Sequence, residues 1–140
     1  MSQGAELIRD RFGEYRRVGA QSGYLGPMAP YVGPAYAASG VRLLYCGVAP
    51  RYTEWVAFTT PEMASEWSTK IVEECVVNSA FWRLLDRILA LPPWAGNPDH
   101  RRQAAWTNLS KLQPFGNVTA PPDRDLELEA LNAAQLSHEI

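Results

Sequence analysis

The segment VRLLYCGVAP, residues 41–50, is the strongest indication of the fold class in this chain. Its first part is almost continuously apolar, and Gly47 and Pro50 end the run. Such a run predicts a β-strand buried on both faces, because helices cover both faces of a parallel sheet. A second apolar segment, AAWTNL at residues 104–109, predicts another buried strand that ends in polar residues.

Helix signals lie between these two strands and on either side of them. Thr-Pro-Glu at residues 60–62 combines an N-cap residue, a proline in the first turn and an acid near the positive end, so a helix is predicted from there towards Val76. Ser79 predicts a second N-cap, and Pro-Pro at residues 92–93 would end that helix. Further helices are predicted over residues 5–17 and 124–140, loops over 19–40, 94–103 and 113–123, and a short strand or loop at 54–58.

The order strand, helices, strand, helix is typical of an α/β domain with parallel strands. We therefore predict a three-layer αβα fold with a short, mostly parallel central sheet. It would form a single domain over residues 1–140, with an N-terminal helix and loop at 1–40 and a motif-bearing core at 41–140. Two or three strands leave exposed sheet edges and a thin core, so we expect the fold to be incomplete and to lack its C-terminal part.

Length and composition limit the classes of function. The chain has 140 residues, a formal net charge of −2, 46% hydrophobic residues and 20% charged residues, which excludes a disordered chain and a strongly basic nucleic-acid binder. No apolar run reaches the roughly 18 residues that span a bilayer, and charged residues near the N-terminus argue against a signal peptide. Two cysteines are too few for a disulfide framework and are expected to be small buried residues. These features predict a cytoplasmic protein without a membrane partner.

Chemistry is expected where the two predicted strands end, because ligands of open α/β sheets bind at the carboxyl ends of the strands. Those ends are residues 47–51 and 107–111. Gly47 permits close approach of the backbone to a ligand, and Asn108 carries a donor and acceptors that can read the edge of a base. The alternative is that Gly47 only turns the chain and Asn108 only caps a loop.

Three segments, in chain order, resemble motifs of the uracil-DNA glycosylase superfamily. LLYCGVAP at residues 43–50 is similar to the family's apolar strand followed by Gly-x-Ala-Pro, and SAFWRLL at 79–85 is similar to the segment with its pocket phenylalanine. TNLSKLQPFGN at 107–117 is similar to its Thr-Asn-x-x-Lys-x-x-Pro-x-Gly-Asn run and is the most specific of the three. The resemblance covers roughly residues 41–140.

The resemblance implies a protein that binds a nucleobase or DNA and hydrolyses an N-glycosidic bond without a cofactor or metal, after the base has left the stack. Phe81 would stack on the base, since an aromatic face suits a planar heterocycle. Asn108 would bond to the Watson–Crick edge. The residues with implied roles are Gly47, Ala49, Pro50, Phe81 and Asn108 for the base, and Arg51 and Lys111 for phosphates.

Two departures from the family pattern leave the enzymatic interpretation open. Val48 stands where members that cleave uracil usually carry an acid or Asn to position water, and Glu54 is the candidate substitute. The family's later His motif has no counterpart, because His138 belongs to the predicted final helix. The chain's two cysteines also fall short of the four that an iron–sulfur cluster needs, and its cysteines and histidines lack the close pairing of a zinc site.

The alternative function is a non-catalytic nucleic-acid-binding or protein-interaction domain of the same fold. Its docking surface would be the acidic helix at residues 124–140, whose leucines would meet a protein partner or the missing C-terminal segment. The site residues have plainer interpretations as well. Phe81 lies on an apolar helical face and fits a core position, while Arg51 and Lys111 fit solvated surface positions.

Overall fold

The computed structural model describes residues 1–50, 58–74, 79–97, 99–114 and 125–140. Helices and a small mixed sheet make up these segments, as an α/β fold requires. In chain order the elements are α1 Gln3–Arg9, α2 Phe12–Ser22, β1 Tyr24–Leu25, β2 Tyr31–Val32, β3 Leu43–Gly47, α3 Pro61–Glu73, α4 Ala80–Leu89, β4 Ala104–Asn108, β5 Gln113–Pro114 and α5 Leu126–Glu139, with a 3₁₀ turn at His100–Gln103.

The two strands predicted at 41–48 and 104–109 form a parallel pair, β3 and β4. β2 pairs antiparallel with the other edge of β4, which gives the strand order β2-β4-β3 and makes the sheet mixed rather than mostly parallel. β1 and β5 pair antiparallel in a separate two-stranded sheet. Every residue of β4 is buried, in agreement with its apolar sequence and central position.

β3 lies at the end of the described strand order, and its burial differs from the prediction. Leu44 is 38% exposed and Cys46 is exposed, whereas Leu43 and Tyr45 are half-buried and Gly47 is buried. Successive side chains of a strand point to opposite faces, so the alternation means that one face of β3 is covered more than the other. The prediction of a strand buried on both faces, and of a buried Cys46, was therefore wrong.

Two helices, α3 and α4, begin at the predicted N-cap residues, and α5 begins close to its predicted start with a cap that was not predicted. Thr60 Oγ1 accepts a hydrogen bond of 3.2 Å from the Met63 amide at the start of α3. Asp125 Oδ1 accepts one of 3.0 Å from the Leu128 amide at the start of α5. α4 begins directly after Ser79, although this side chain makes no capping hydrogen bond. The N-cap signals therefore locate helices even where the cap itself is incomplete.

The first 40 residues are more regular than predicted. The single helix expected over 5–17 is two helices, α1 and α2, and the loop expected over 19–40 contains the end of α2 and both β1 and β2. α2 ends at Gly23, whose φ of 68° is the left-handed conformation that glycine adopts without strain. Two-residue strands are too short to show a periodicity, so only their tertiary pairing reveals them.

Some predicted elements fall wholly or partly outside the described residues. These are the helix end at Val76, most of the segment 54–58, and most of the loop at 113–123. Within the polar loop expected at 94–103, the structure has the short 3₁₀ turn. At the start of the loop expected at 113–123 it has β5.

Two leucines of α5 are buried in the core and only part of the predicted docking surface is exposed, so docking of a partner on this helix stays a prediction. Leu128 and Leu131 are 3% and 8% exposed and belong to the hydrophobic core, while Leu126 is 69% exposed. α5 lies beside α2, and Tyr15 Oη donates a hydrogen bond of 2.9 Å to Asn132 Oδ1 between them. The apolar side of α5 is thus used to close this domain.

A row of four aromatic rings joins α4 to the sheet. The ring centroids of Tyr45 and Phe81 are 4.4 Å apart, those of Phe81 and Trp82 are 5.0 Å apart, and those of Trp82 and Trp106 are 5.0 Å apart. Tilted and edge-to-face pairs of this kind each add roughly 0.5–1.5 kcal/mol beyond their buried area. The row therefore fixes the first turn of α4 against β3 and β4.

A partly buried ion pair joins the other end of α4 to the turn that precedes β4. Arg101 Nε and Nη2 donate to the two carboxylate oxygens of Asp86 at 2.7 and 2.8 Å, and His100 Nε2 lies 2.8 Å from Asp86 Oδ1. Arg101 Nη1 also donates to the Val72 carbonyl, and its guanidinium lies 5.4 Å from the Trp82 ring centroid. Two hydrogen bonds between one guanidinium and one carboxylate make this contact stronger than an ion pair joined by a single bond.

We expect Asp86→Asn to lower the free energy of unfolding at neutral pH by about 1–2 kcal/mol, less than for a fully buried pair because the Asp86 side chain is 38% exposed. Hydrogen bonds from Arg101 are the main cause that lowers the pKa of Asp86 to about 2, from 3.8. The pair therefore stabilises the fold above pH 3.8 and loses this contribution as the pH falls towards 2.

Urea unfolding of the wild type and Asp86→Asn across this pH range measures the effect. The control is Asp99→Asn, whose carboxyl is exposed and 3.9 Å from Arg102. A penalty for Asp86→Asn that stays the same from neutral pH down to pH 2 would contradict the assignment.

Candidate functional site

The carboxyl ends of β3 and β4 lie side by side, with Gly47 opposite Asn108 in the register. Backbone hydrogen bonds continue the pairing past the strands, from the Leu109 amide to the Gly47 carbonyl and from the Ser110 amide to the Val48 carbonyl, both at 2.8 Å. Parallel strands end at the same edge of a sheet, so residues far apart in sequence meet there. The structure thus brings together Gly47 and Asn108, as the sequence predicts.

Phe81 joins these two residues. A Cβ atom built on Gly47 would overlap Asn108 Oδ1 and would lie 3.4 Å from Phe81 Cζ. The Asn108 amide and the edge of the Phe81 ring are therefore both packed against the Cα of Gly47, and only glycine leaves room for them. Gly47, Phe81 and Asn108 form what we call the strand-end cluster.

The amide of Asn108 is buried without a full set of hydrogen bonds. The residue is 3% exposed, and its Nδ2 has no hydrogen-bond partner among the described residues. A buried donor left unsatisfied costs roughly 1–3 kcal/mol, and such groups in folded proteins call for an explanation, for which a ligand is one candidate. Trp106 Nε1, two positions earlier on the same strand, is also buried and has no hydrogen-bond partner among the described residues.

Tyr45 holds Phe81 in place by two contacts. Its ring packs against the Phe81 ring, and its Oη donates a hydrogen bond of 2.7 Å to the Phe81 carbonyl. Partial burial raises the pKa of Tyr45, a direction that favours the protonated hydroxyl. Phe81 itself is half-buried at the edge of the hydrophobic core, so the structure gives it neither a fully buried core position nor a fully solvated one.

Lys111 does not occupy the position that the resemblance implies. Its side chain is 1% exposed, and its Nζ donates to Glu139 Oε2 at 2.8 Å, to the Asn108 carbonyl at 2.6 Å and to Thr107 Oγ1. An ammonium group has three protons, and all three are directed to acceptors of this chain. The structure therefore contradicts the implied phosphate contact of Lys111, and it contradicts the solvated alternative as well.

The structure describes only some of the remaining predicted site residues. Ala49 is half-buried and Pro50 is buried, directly after β3, and Val48 beside Gly47 is 57% exposed. Arg51 and Glu54 lie outside the described residues, so the phosphate role of Arg51 and the catalytic role of Glu54 stay predictions.

Two residues of this region were not found from the sequence. Tyr45 could have been found, because a strand residue two positions before Gly47 points to the same face. Glu139 could not, because an acid in the last turn of an acidic helix has the pattern of a solvated residue. Only the tertiary structure brings it to Lys111, 28 positions away in sequence.

Over the described ranges, no three His, Cys, Asp or Glu side chains lie close enough together to hold a metal ion. Among the described helices, none has the length and apolar character needed to cross a membrane. Comparisons with protein-family models, with curated proteins and with solved structures found no match. The similarity to uracil-DNA glycosylases thus stays a prediction, which depends on the motifs of the chain and on the strand-end cluster.

We expect Gly47→Ala to disturb the strand-end cluster while leaving the fold intact. Alanine fits an extended strand, but its Cβ must displace the Asn108 side chain, at a cost of roughly 1–3 kcal/mol for overpacking. The control is Gly13→Ala in α2, where an added Cβ meets nothing within 4 Å and where alanine is the better helix former.

The measurement is the NMR resonance of the Asn108 side-chain amide together with urea unfolding. Gly47→Ala should shift that resonance and lower the unfolding midpoint, and Gly13→Ala should do neither. An Asn108 resonance that stays in place in Gly47→Ala would mean that the cluster is not packed as described.

Proposed function

We propose that this chain is a nucleobase-binding protein of the uracil-DNA glycosylase type, with a three-layer αβα fold and with DNA as its partner. The observation that carries the proposal is that Asn108 Nδ2, in the strand-end cluster, is buried and has no hydrogen-bond partner among the residues that the structure describes. The cluster combines an aromatic ring, a buried amide and a glycine, and small-molecule sites commonly pair aromatic surface with a few placed polar groups. A cytoplasmic location belongs to the same proposal.

Each member of the cluster has a distinct part in binding. Phe81 would stack on the face of the base, a contact worth roughly 1–3 kcal/mol in proteins that bind single strands. Asn108 Nδ2 would donate to a carbonyl oxygen of the base, which would satisfy a donor for which the described residues provide no partner. Gly47 would leave the Asn108 amide in its binding position, since a Cβ at residue 47 would push that amide away.

Binding is better supported than cleavage. The three residues of the cluster carry no acid that could position water, and Val48 next to Gly47 offers none either. Hydrolysis of an N-glycosidic bond would need a group such as Glu54 to take this part. Recognition of a base that has left the stack, in DNA, is therefore the function that we propose first, with hydrolysis as its extension.

The test is equilibrium binding of a short single-stranded oligonucleotide that contains one uracil, at low salt, with the thymine oligonucleotide alongside. We expect Asn108→Ala to weaken binding about tenfold or more, which corresponds to roughly 1.4 kcal/mol, the scale of one lost hydrogen bond. Phe81→Ala should weaken it by a similar factor through lost stacking.

The matched control is Gln3→Ala, which removes an exposed amide at the start of α1. Equal affinity of Asn108→Ala and wild type would show that DNA binds elsewhere and would favour a nucleic-acid-binding module that does not use this site. No binding of either oligonucleotide would remove the proposal. Formation of abasic sites in the same oligonucleotide would extend it to hydrolysis.

A further inference from the structure

Beneath the strand-end cluster lies an ion pair that is almost entirely buried. The side chains of Lys111 and Glu139 are 1% and 3% exposed, and Lys111 Nζ lies 2.8 Å from Glu139 Oε2. Lys111 belongs to the segment after β4, and Glu139 is the last residue of α5. The pair therefore joins the C-terminal helix to the end of the central strand.

All polar atoms of this pair have partners within the protein. Lys111 Nζ also donates to the Asn108 carbonyl and to Thr107 Oγ1. Thr107 Oγ1 in turn donates to Glu139 Oε2 at 2.6 Å, and Gln135 Nε2 donates to Glu139 Oε1 at 2.7 Å. The arrangement is a closed network in which the ammonium group holds both residues at the end of β4.

Stability alone does not explain such a network. Removing two charges from water is costly, and apolar residues of similar volume in place of a buried ion pair are often neutral or stabilising. Burial lowers the pKa of Lys111, and the adjacent Glu139 carboxylate opposes this effect. An apolar pair would fill the same space, but it would leave the Asn108 carbonyl without the hydrogen bond that Lys111 now donates.

We propose that Lys111 and Glu139 are positioning residues for Asn108. Lys111 fixes the backbone carbonyl of Asn108, Glu139 fixes Lys111, and the amide of Asn108 is thereby held in one direction in the strand-end cluster. This inference deepens the proposed function, because base recognition depends on the direction of that amide. The positioning of Asn108 itself does not depend on what the ligand is.

The test replaces both charges together, as Lys111→Met with Glu139→Leu, so that no buried charge is left unpaired. The first readout is the NMR resonance of the Asn108 side-chain amide in the ligand-free protein. The second is the affinity for the uracil-containing single-stranded oligonucleotide. We expect the resonance to shift and the affinity to fall about tenfold, while the Trp82 indole resonance and the urea midpoint stay close to those of the wild type.

The matched control is the same pair of substitutions at the ion pair between Arg17 and Glu127, whose side chains are 51% and 55% exposed on α2 and α5. It should change neither readout. Lys111→Met with Glu139→Gln is a second variant, which also leaves no buried charge unpaired and keeps the shape of Glu139, and it should shift the Asn108 resonance in the same direction. It decides the matter if the first double variant does not fold.

An unshifted Asn108 resonance with unchanged affinity, in a folded double variant, would overturn the inference. An Asn108 resonance that shifts in the variants, in a protein whose wild type binds no oligonucleotide, would support the positioning and refute the proposed function. The two proposals can therefore fail separately.

Discussion

Five residues of β3 pair in parallel with five residues of β4, in a register that runs from Leu43 opposite Ala104 to Gly47 opposite Asn108. This pairing joins two parts of the chain that are about sixty positions apart in sequence, and the candidate site depends on it. A slip by one residue would turn every side chain of a strand to the other face. Gly47 would then no longer lie beneath the Asn108 amide, and the strand-end cluster would not form.

Two kinds of contact hold Asn108 at the end of this pairing. From α4 come the rings of Phe81 and Trp82, which pack on Tyr45 and Trp106 of the sheet. From α5 comes Glu139, which reaches Asn108 through Lys111. An apolar contact tolerates small displacements, whereas a hydrogen bond to a charged group is short and directional. The combination explains how the Asn108 side chain can be kept buried in one place although its Nδ2 has no partner within residues 1–50, 58–74, 79–97, 99–114 and 125–140.

The polar groups near the site divide into satisfied and unsatisfied ones. The Lys111–Glu139 pair is closed on itself, and its charges are unavailable to a ligand in solution. Within the described part of the chain, Asn108 Nδ2 is buried and has no hydrogen-bond partner, and a ligand acceptor is one explanation for such a group. Lys111 therefore supports the Asn108 backbone instead of contacting a phosphate. Asn108 and Phe81 remain as the residues that would touch a base.

Local signals in the sequence were enough to predict several elements of the fold. An apolar run ended by Gly47 marked β3, the apolar segment at 104–109 marked β4, and the N-cap residue Thr60 marked a helix. The sequence also indicated that Gly47, Phe81 and Asn108 share one site, because parallel strands end at one edge and the motifs follow in order. Tertiary structure alone decided the exposure of Cys46, the short strands β1 and β2, and the burial of Lys111 against Glu139. The physical reason is that burial and ion pairing depend on which neighbours arrive from distant parts of the chain, and a local pattern of residues carries no information about them.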